Sequence, residues 1–175
     1  MEVLRASAYT AMPWKNGKGA TKEVAVFPPG AGLNDFVWRV SMATLTEDAA
    51  FSAFDGVDRT LTVVEGAIHL SLAGGYPRRL GPEVPPFDFA GESRAWAHLP
   101  TGAALDFNVM VRRGLASHRV TRVKTQDELK IVGDSAVAFV VALSDDVPCH
   151  GLIEKVKAPE VIRSSHLRLL TSNSA

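Results

Sequence analysis

The chain has 175 residues, of which 46% are apolar and 22% charged. This composition is typical of a globular protein, and it excludes a mostly disordered chain or a coiled coil. Its 19 Lys and Arg residues balance its 19 Asp and Glu residues, so the net charge is zero and we expect no nucleic-acid partner. No apolar run approaches the ~20 residues of a membrane span, and residues 1–5 do not begin a secretion signal, so we expect a cytoplasmic protein without a membrane partner.

Strands are predicted along most of the chain, because the dominant hydrophobic period is two residues. The candidate strands are rich in β-branched and aromatic residues and are separated by Gly, Pro and Asp turn signals. In chain order they are 22–27, 36–42, 59–64, 67–72, 94–99, 105–111, 118–124, 136–143 and 161–170. Many short strands at near-regular spacing predict an all-β sandwich or barrel.

One short helix is predicted over residues 125–132. Thr125 is a good N-cap and Glu128 follows it three residues later, which is the pattern of a capping box. No Ser/Gly-rich linker interrupts the chain. We therefore expect residues 1–175 to form a single compact domain.

Metal-binding and nucleophile motifs are weak in this sequence. The five histidines are scattered, without a His-x-His or His-x-x-x-His pair, so their spacing predicts no metal site. The single cysteine, Cys149, excludes an intramolecular disulfide. It precedes His150, and adjacent side chains of a strand point to opposite faces, so a Cys-His dyad is not expected.

Polar side chains inside otherwise apolar strands are the main indication of a site. Arg39 and Ser41 share one face of their strand, as do Asp106 and Asn108, because residues i and i+2 do. Arg59 opens a Thr-rich strand, and arginine offers a rigid fork of donors for a carboxylate. If these faces meet inside a barrel, they form a pocket for a small carboxylate. The predicted ligand-binding residues are Trp14, Lys15, Asn16, Arg39, Ser41, Arg59, Asp106 and Asn108.

Each of these residues also has a purely structural interpretation. Arg39 would pair with an acid such as Glu23 or Asp106. Asn108 would satisfy backbone groups at a bulge, and Trp14 would be an anchor of the core. For any single residue the structural interpretation is the more common one, and the case for a pocket depends on the whole set.

Five segments in order resemble the characteristic segments of the HutD/Ves family. They are 12–19 (MPWKNGKG), 36–43 (FVWRVSMA), 51–66 (FSAFDGVDRTLTVVEG), 87–92 (FDFAGE) and 106–114 (DFNVMVRRG). The resemblance implies a cupin-type β-barrel or sandwich with two cupin units in one chain, a bicupin. The first unit would span 1–115 and the second 116–175, with exchange of strands between them left open. Family members commonly have Gly at position 18, where this chain has Lys18, and we expect Lys18 to point to solvent.

Comparison with metal-binding cupins implies that the metal ligands are absent. Arg59 takes the place of the glutamate ligand, Ala53 and Asp55 take those of two histidines, and Leu105 takes that of the third. An arginine in place of a metal suits an anionic ligand. We therefore expect no metal and no cofactor.

The resemblance further implies an accessory or regulatory role in histidine utilisation. The first hypothesis is a metal-free bicupin, not an enzyme, that binds a small anionic metabolite such as urocanate or formylglutamate. In this hypothesis Arg39, Arg59 and Lys15 hold the carboxylate, Asn16, Ser41 and Asn108 contact the polar part, and Trp14 or Trp38 forms a wall.

Two alternatives remain open at the level of the sequence. One is an isomerase or hydrolase that acts on the same metabolites and uses Glu23, Asp58 or Asp106 as acid or base. The other is a protein-interaction or stress-related module without a small ligand. The sequence leaves a homodimer open.

Overall fold

The computed structural model describes residues 2–5, 9–14, 19–122, 128–131, 137–141, 152–156 and 160–163. Within these ranges every regular element is a strand, which confirms the all-β prediction. The strands are β1 Glu2–Arg5, β2 Thr10–Pro13, β3 Gly19–Phe27, β4 Trp38–Leu45, β5 Ala49–Ala50, β6 Val57–Glu65, β7 Ile68–Leu72, β8 Arg78–Leu80, β9 Phe87–Ala90, β10 Ala95–His98, β11 Ala104–Arg112, β12 Glu128–Ile131, β13 Ala138–Val141, β14 Leu152–Val156 and β15 Glu160–Arg163. None of the described residues belongs to a helix that could cross a membrane.

The chain divides into two compact units, one of residues 10–122 and one of residues 1–9 with 123–175. In the 10–122 unit a six-stranded antiparallel sheet has the order β2-β3-β4-β11-β6-β9, and a four-stranded sheet has the order β5-β10-β7-β8. In the other unit β1-β14-β13 form a three-stranded sheet and β12 pairs with β15. The bicupin with units at 1–115 and 116–175 stays a prediction.

The two sheets of the 10–122 unit enclose one apolar core, because each strand turns alternate residues inward. Leu61 of β6 and Ile68 of β7 are at most 1% exposed and belong to the same cluster, and burial of one such side chain contributes about 1.5–3 kcal/mol. Gly66 connects these two strands with φ +74°, and a Cβ there would lie 2.6 Å from the Ala103 carbonyl oxygen. This packing of two antiparallel sheets is the sandwich expected of a cupin-type fold.

The face of the six-stranded sheet that turns toward the four-stranded sheet is called the inner face below. Two shifts of register occur on the strands that form it. One lies between Glu23 and Ala25 in β3, and the other lies opposite Leu105 and Asp106 of β11, where the extra residue, Val64, belongs to β6. Such β-bulges change the direction of the neighbouring side chains. Both acidic residues of the inner face therefore stand beside a bulge.

Residues 118–124 were predicted as a strand, and this prediction is wrong for the described residues 118–122, which are irregular. Their side chains bind the six-stranded sheet instead of pairing by backbone. His118 Nε2 lies 2.7 Å from Thr60 Oγ1, and Arg122 Nη2 donates to the Val63 carbonyl oxygen at 2.7 Å. Thr60 Oγ1 also donates to Asp88.

The helix predicted over 125–132 is also wrong for the described residues 128–131, which form strand β12. Glu128 pairs with Arg163 and Ile131 pairs with Glu160 in an antiparallel ladder. The capping-box pattern is a local preference, whereas the ladder is a tertiary pairing that overrides it.

Most of the predicted strands of the 10–122 unit are confirmed. β3, β6, β7, β10 and β11 overlap their predicted ranges closely, and β4 begins and ends two to three residues later than predicted. In the other unit β13 lies within 136–143, and β15 overlaps the start of 161–170. The missed strands are short, with two to five residues each, and they are β1, β2, β5, β8, β9 and β14.

Candidate functional site

Arg39 and Arg59 lie on the same face of the six-stranded sheet. Met110 of β11 pairs with Arg39 of β4 on one side and with Arg59 of β6 on the other. Residues directly opposite one another in a sheet point to the same face. Both arginine side chains are buried, with 4% exposure each. The sheet therefore brings two buried cations to one face, which sequence alone did not establish.

A band of polar side chains crosses the inner face between two apolar clusters. On one side the cluster includes Ala43 and Leu61, and on the other it includes Phe36 and Met110. We call this set the polar band, and its members are Glu23, Arg39, Ser41, Arg59, Asp106 and Asn108. All of them except Glu23 are at most 4% exposed.

Arg59 and Asp106 are connected through Asn108. Arg59 Nη2 donates to Asn108 Oδ1 at 2.9 Å, and Asn108 Nδ2 donates to Asp106 Oδ1 at 2.7 Å. Arg59 Nη1 donates to the Ser52 carbonyl oxygen at 3.0 Å. Arg59 Nε and Asp106 Oδ2 are buried and have no hydrogen-bond partner among the described residues. Buried polar atoms nearly always have partners, so these two atoms are candidates for ligand contact.

Three phenylalanine rings surround the Arg59 guanidinium. Its Cζ lies 5.2 Å from the ring centre of Phe51, 5.7 Å from that of Phe54 and 5.0 Å from that of Phe89. These distances fall within the range of cation–π contacts. Burial lowers the pKa of Arg59 to about 10, although Asp106 opposes this change. At neutral pH the guanidinium is thus a positive charge held in an aromatic environment.

Asp106 is fully buried, and its titration is shifted toward neutral pH. Burial raises the pKa of Asp106 to about 7, although the hydrogen bond from Asn108, the charge of Arg59 and the nearby backbone of Ala43 oppose the shift. The carboxyl group therefore exchanges between its protonated and ionised forms near neutral pH. Perturbed acids of this kind are common at functional sites, although structural networks also produce them.

Arg39 is held in the polar band by an acid and a hydroxyl. Its Nε donates to Glu23 Oε2 at 2.8 Å, and its Nη1 donates to Ser41 Oγ at 3.4 Å. The structural interpretation of Arg39 as the partner of Glu23 is thus confirmed. Asn108 contacts side chains of the band, so its expected role at backbone groups of a bulge is replaced by a role between Arg59 and Asp106.

The two tryptophans predicted as walls of the site make other contacts. Trp14 Nε1 donates to Thr21 Oγ1 at 2.8 Å, and the ring packs against the apolar core. Trp38 stacks on Phe27 with ring centres 5.9 Å apart, and it precedes Arg39, so it faces the opposite side of the sheet. Trp38 as a wall of the site is therefore wrong. The predicted site residues Lys15 and Asn16, as well as Lys18, lie outside the described residues.

The acid or base candidates differ in their environments. Asp58 is exposed and accepts hydrogen bonds from Arg113, so it lies outside the polar band. Glu23 is occupied by Arg39. Of these three predicted acids, Asp106 alone combines full burial with an oxygen that has no partner in the described part of the chain. Among the described residues, no group of three or more His, Cys, Asp or Glu side chains could hold a metal ion.

Sequence reasoning named the polar residues and missed the rings around them. Phe51, Phe54 and Phe89 contact Arg59, but only their place in the family-like segments was noted. A Phe-x-x-Phe pair five residues before an arginine was the available signal. It is weak, because phenylalanine is common in cores.

Comparison with known proteins decides the family. The model of the family described as HutD matches residues 6–172. The chain belongs to the HutD family. Among its relatives, an uncharacterised 21.2 kDa protein in the hutC 3′ region of Pseudomonas putida is 41% identical over 110 residues, which are 63% of this chain and 57% of that protein. The Ves protein of Cronobacter sakazakii is 36% identical over 132 residues, or 75% of this chain and 70% of that protein.

Two solved structures have the same fold. HutD from Pseudomonas fluorescens SBW25, solved in a formate condition, is 30% identical with a TM-score of 0.78, and the match covers 93% of this chain and 90% of that one. A conserved protein of unknown function from Pseudomonas aeruginosa PAO1 is 34% identical with a TM-score of 0.71, and the match covers 78% of this chain and 70% of that one. The match to the Pseudomonas putida protein, by contrast, covers little more than half of the length of that protein.

Proposed function

We propose that this HutD-family chain binds a small carboxylate at Arg59 and acts as a metal-free accessory or regulatory component of histidine utilisation. The observation that carries the proposal is Arg59, a buried guanidinium with neutral hydrogen-bond partners and an Nε–H without an acceptor among the described residues. An incoming carboxylate would supply that acceptor, and hydrogen bonds between guanidinium and carboxylate are among the stronger ones in proteins.

The composition of the polar band supports an anion and not a metal cation. Arg39 and Arg59 are both positive, and Arg39 alone contacts a carboxylate directly, that of Glu23. A metal ion near Arg59 would meet like charge, whereas an anion would meet attraction in a poorly solvated environment. The three rings beside Arg59 offer apolar contact to the carbon part of a ligand. We propose Ser41 and Asn108 as the groups that contact its polar part.

The link to histidine utilisation comes from the family and its relatives. A relative in Pseudomonas putida is named for its place beside hutC, and the Pseudomonas fluorescens match is named HutD. Urocanate and formylglutamate are the carboxylates we propose first, and formate, the anion of the condition in which the Pseudomonas fluorescens structure was solved, is the smallest probe of the site. A cytoplasmic location is part of this proposal.

The test is a titration of chelator-treated protein, in which binding is measured by thermal shift and by calorimetry. The ligands are urocanate, formylglutamate, formate, glutamate and histidine. Ligand at about a hundred times Kd adds roughly 2.7 kcal/mol of stability. The variant Arg59→Lys keeps the charge but loses the fork, so we expect its affinity to fall at least tenfold. Arg113→Lys, which alters an exposed arginine, is the matched control and should bind as the parent protein does.

Absence of any shift in protein that is folded by circular dichroism would refute the carboxylate site. The interaction module would then become the better hypothesis. Equal losses in Arg59→Lys and Arg113→Lys would show that the ligand binds elsewhere.

One observation favours the enzyme as a second candidate. Asp106 has a pKa of about 7 and an oxygen without a partner among the described residues, which suits a general acid or base. Turnover of urocanate or formylglutamate by chelator-treated protein, lost in Asp106→Asn, would support this candidate. Binding without turnover would reject it.

A further inference from the structure

The two oxygens of Asp106 are in different situations. Oδ1 accepts a hydrogen bond from Asn108 Nδ2 at 2.7 Å, whereas Oδ2 has no partner among the described residues. The amide of Asn108 is oriented by Arg59, which donates to its oxygen. When Asp106 is protonated, the proton therefore lies on Oδ2, because Oδ1 is already an acceptor. A protonated carboxyl is a hydrogen-bond donor, and an ionised one is not.

The charges of the polar band limit what it can bind. Glu23 neutralises Arg39 by direct contact. Ionised Asp106 neutralises Arg59 through Asn108. If Asp106 stayed ionised, a bound carboxylate would leave the buried band with one excess negative charge, which is costly in a poorly solvated interior. If Asp106 were protonated, the same carboxylate would complete the neutralisation of Arg59.

The one other carboxyl group of the described polar band, that of Glu23, is already in direct contact with Arg39. On its own strand the neighbour is Asn108, and across the sheet the nearest charged groups are Arg59 on β6 and Arg39 on β4, with Glu23 of β3 beyond it. The residues that the opposite sheet contributes to the core are apolar: Ile68, Leu70, Leu80, Ala95 and Ala97.

We propose that binding of one carboxylate to this site takes up one proton on Asp106 Oδ2, so that the buried polar band stays electrically neutral. The inference rests on the carboxylate site proposed above. The proton comes from solvent and returns to it when the ligand leaves, and no covalent bond to the ligand forms. Burial also raises the pKa of Asp106 to about 7, so protonation costs little near neutral pH.

Coupling of this kind gives the affinity a defined pH dependence. Below pH 7 free Asp106 is already protonated, and the Kd for a carboxylate is constant. Above that value each unit of pH lowers the protonated fraction tenfold, so Kd rises about tenfold per unit. Formate is a suitable probe, because the ordinary pKa of a carboxylic acid, about 4, keeps it ionised throughout the range from pH 6 to 9.

The experiment is a calorimetric titration with sodium formate at pH 6, 7, 8 and 9, at constant ionic strength, with sodium chloride as the anion control. Each titration is repeated in two buffers of different ionisation enthalpy, which measures the protons taken up. At pH 8 and 9 we expect nearly one proton per formate and a rising Kd. Asp106→Asn keeps a donor at the position of Oδ2, so it should bind with a Kd that does not change with pH and without proton uptake. Asp88→Asn, on an exposed acid bound to Thr60, is the matched control and should keep the pH dependence.

The outcomes separate this inference from the function on which it rests. A parent protein that binds formate with the same Kd from pH 6 to 9 and without proton uptake keeps the carboxylate site and overturns the role of Asp106. Absence of binding at every pH overturns both. If Asp106→Asn does not fold, Glu23→Gln decides the question: proton uptake that persists in this variant supports Asp106, and its loss assigns the proton to Glu23 and overturns the role of Asp106.

Discussion

Arg59 and Arg113 are arginines of the same 10–122 unit in opposite environments. Arg113 is exposed, and it donates to Asp58 at 2.7 Å and to Glu92 at 3.0 Å, which raises its pKa. Arg59 is buried among aromatic rings, donates to an amide and a backbone carbonyl, and has a pKa lowered to about 10. The exposed guanidinium contacts two carboxylates, and the buried one directly contacts no carboxylate in the described part of the chain.

This difference shows which arginine is suited to a ligand. The charge of Arg113 is already neutralised by two acids and screened by water, so an added anion gains little there. Among the described residues, the charge of Arg59 is opposed by Asp106 through an intervening amide, and Asp106 itself can become neutral. Burial with weak compensation is therefore a better indication of a binding site than the number of cations on a surface.

The largest expected effect on stability comes from removal of the Arg59 guanidinium, and removal of the Arg113 guanidinium is the comparison. Arg59→Met should lower the free energy of unfolding by about 3 kcal/mol or more, because Asp106 and Asn108 lose a buried partner. Arg113→Met should leave it unchanged within error, because its ion pairs are exposed. Urea denaturation at pH 7 measures both values. Similar losses in the two variants would contradict the contrast between the two environments.

The next effect tests the titration of Asp106 in the folded protein without ligand. Its pKa is raised from 3.8 to about 7, so its contribution to stability is full below pH 4 and is lost as the pH rises through about 7. Asp106→Asn does not titrate. As the pH rises from 5 to 8, the free energy of unfolding of Asp106→Asn should therefore increase by about 2–3 kcal/mol relative to that of the parent protein.

Denaturation of both proteins at the two pH values gives this difference directly. The difference between variants cancels the contributions of the other acids, such as Glu92, whose pKa is lowered by Arg113. A constant difference between pH 5 and pH 8 would mean that Asp106 titrates as an ordinary acid.

A smaller effect on stability should follow when Arg39 loses its carboxylate partner and, like Arg59, keeps only neutral ones. Glu23→Gln replaces the carboxylate that contacts Arg39 at 2.8 Å with a neutral amide. We expect a loss of about 2 kcal/mol in the free energy of unfolding, because hydrogen bonds to charged groups contribute about 1.5–3 kcal/mol. The added positive charge should also strengthen binding of formate. Glu92→Gln, at the exposed pair with Arg113, is the control. Weaker binding in Glu23→Gln would show that Glu23 positions Arg39 for the ligand.

The alternation of strands allowed four of the six members of the polar band to be placed in pairs. Arg39 with Ser41, and Asp106 with Asn108, were placed on common faces because side chains two residues apart share a face. The pairing of Arg59 with Asn108 joins residues 49 positions apart, and nothing local specifies such a register. The bulges beside Glu23 and Asp106 also depend on the partner strands.

The same limit applies to the fold. Long strands with clear alternation, such as β6 and β11, were predicted because their own residues carry the pattern. Short strands such as β8 and β9 lie at the edges of their sheets, and their pairing comes from a neighbour more than from their own composition. Residues 128–131 end a helix-start pattern that begins at Thr125, and they still pair as a strand, because tertiary pairing outweighs a local preference.

The smallest effect concerns Trp14, which the sequence placed beside the ligand and the structure places against the core. Trp14→Phe removes one hydrogen bond to Thr21 and keeps most of the ring, so it should lower the free energy of unfolding by about 1 kcal/mol. Thr21→Val removes the same bond from the other side and should cost a similar amount, and the double variant should cost less than the sum. If Trp14 belongs to the core, the formate Kd of both variants equals that of the parent protein. A higher Kd in Trp14→Phe alone would mean that its indole contacts the ligand, and the site would then extend from Arg59 toward β2.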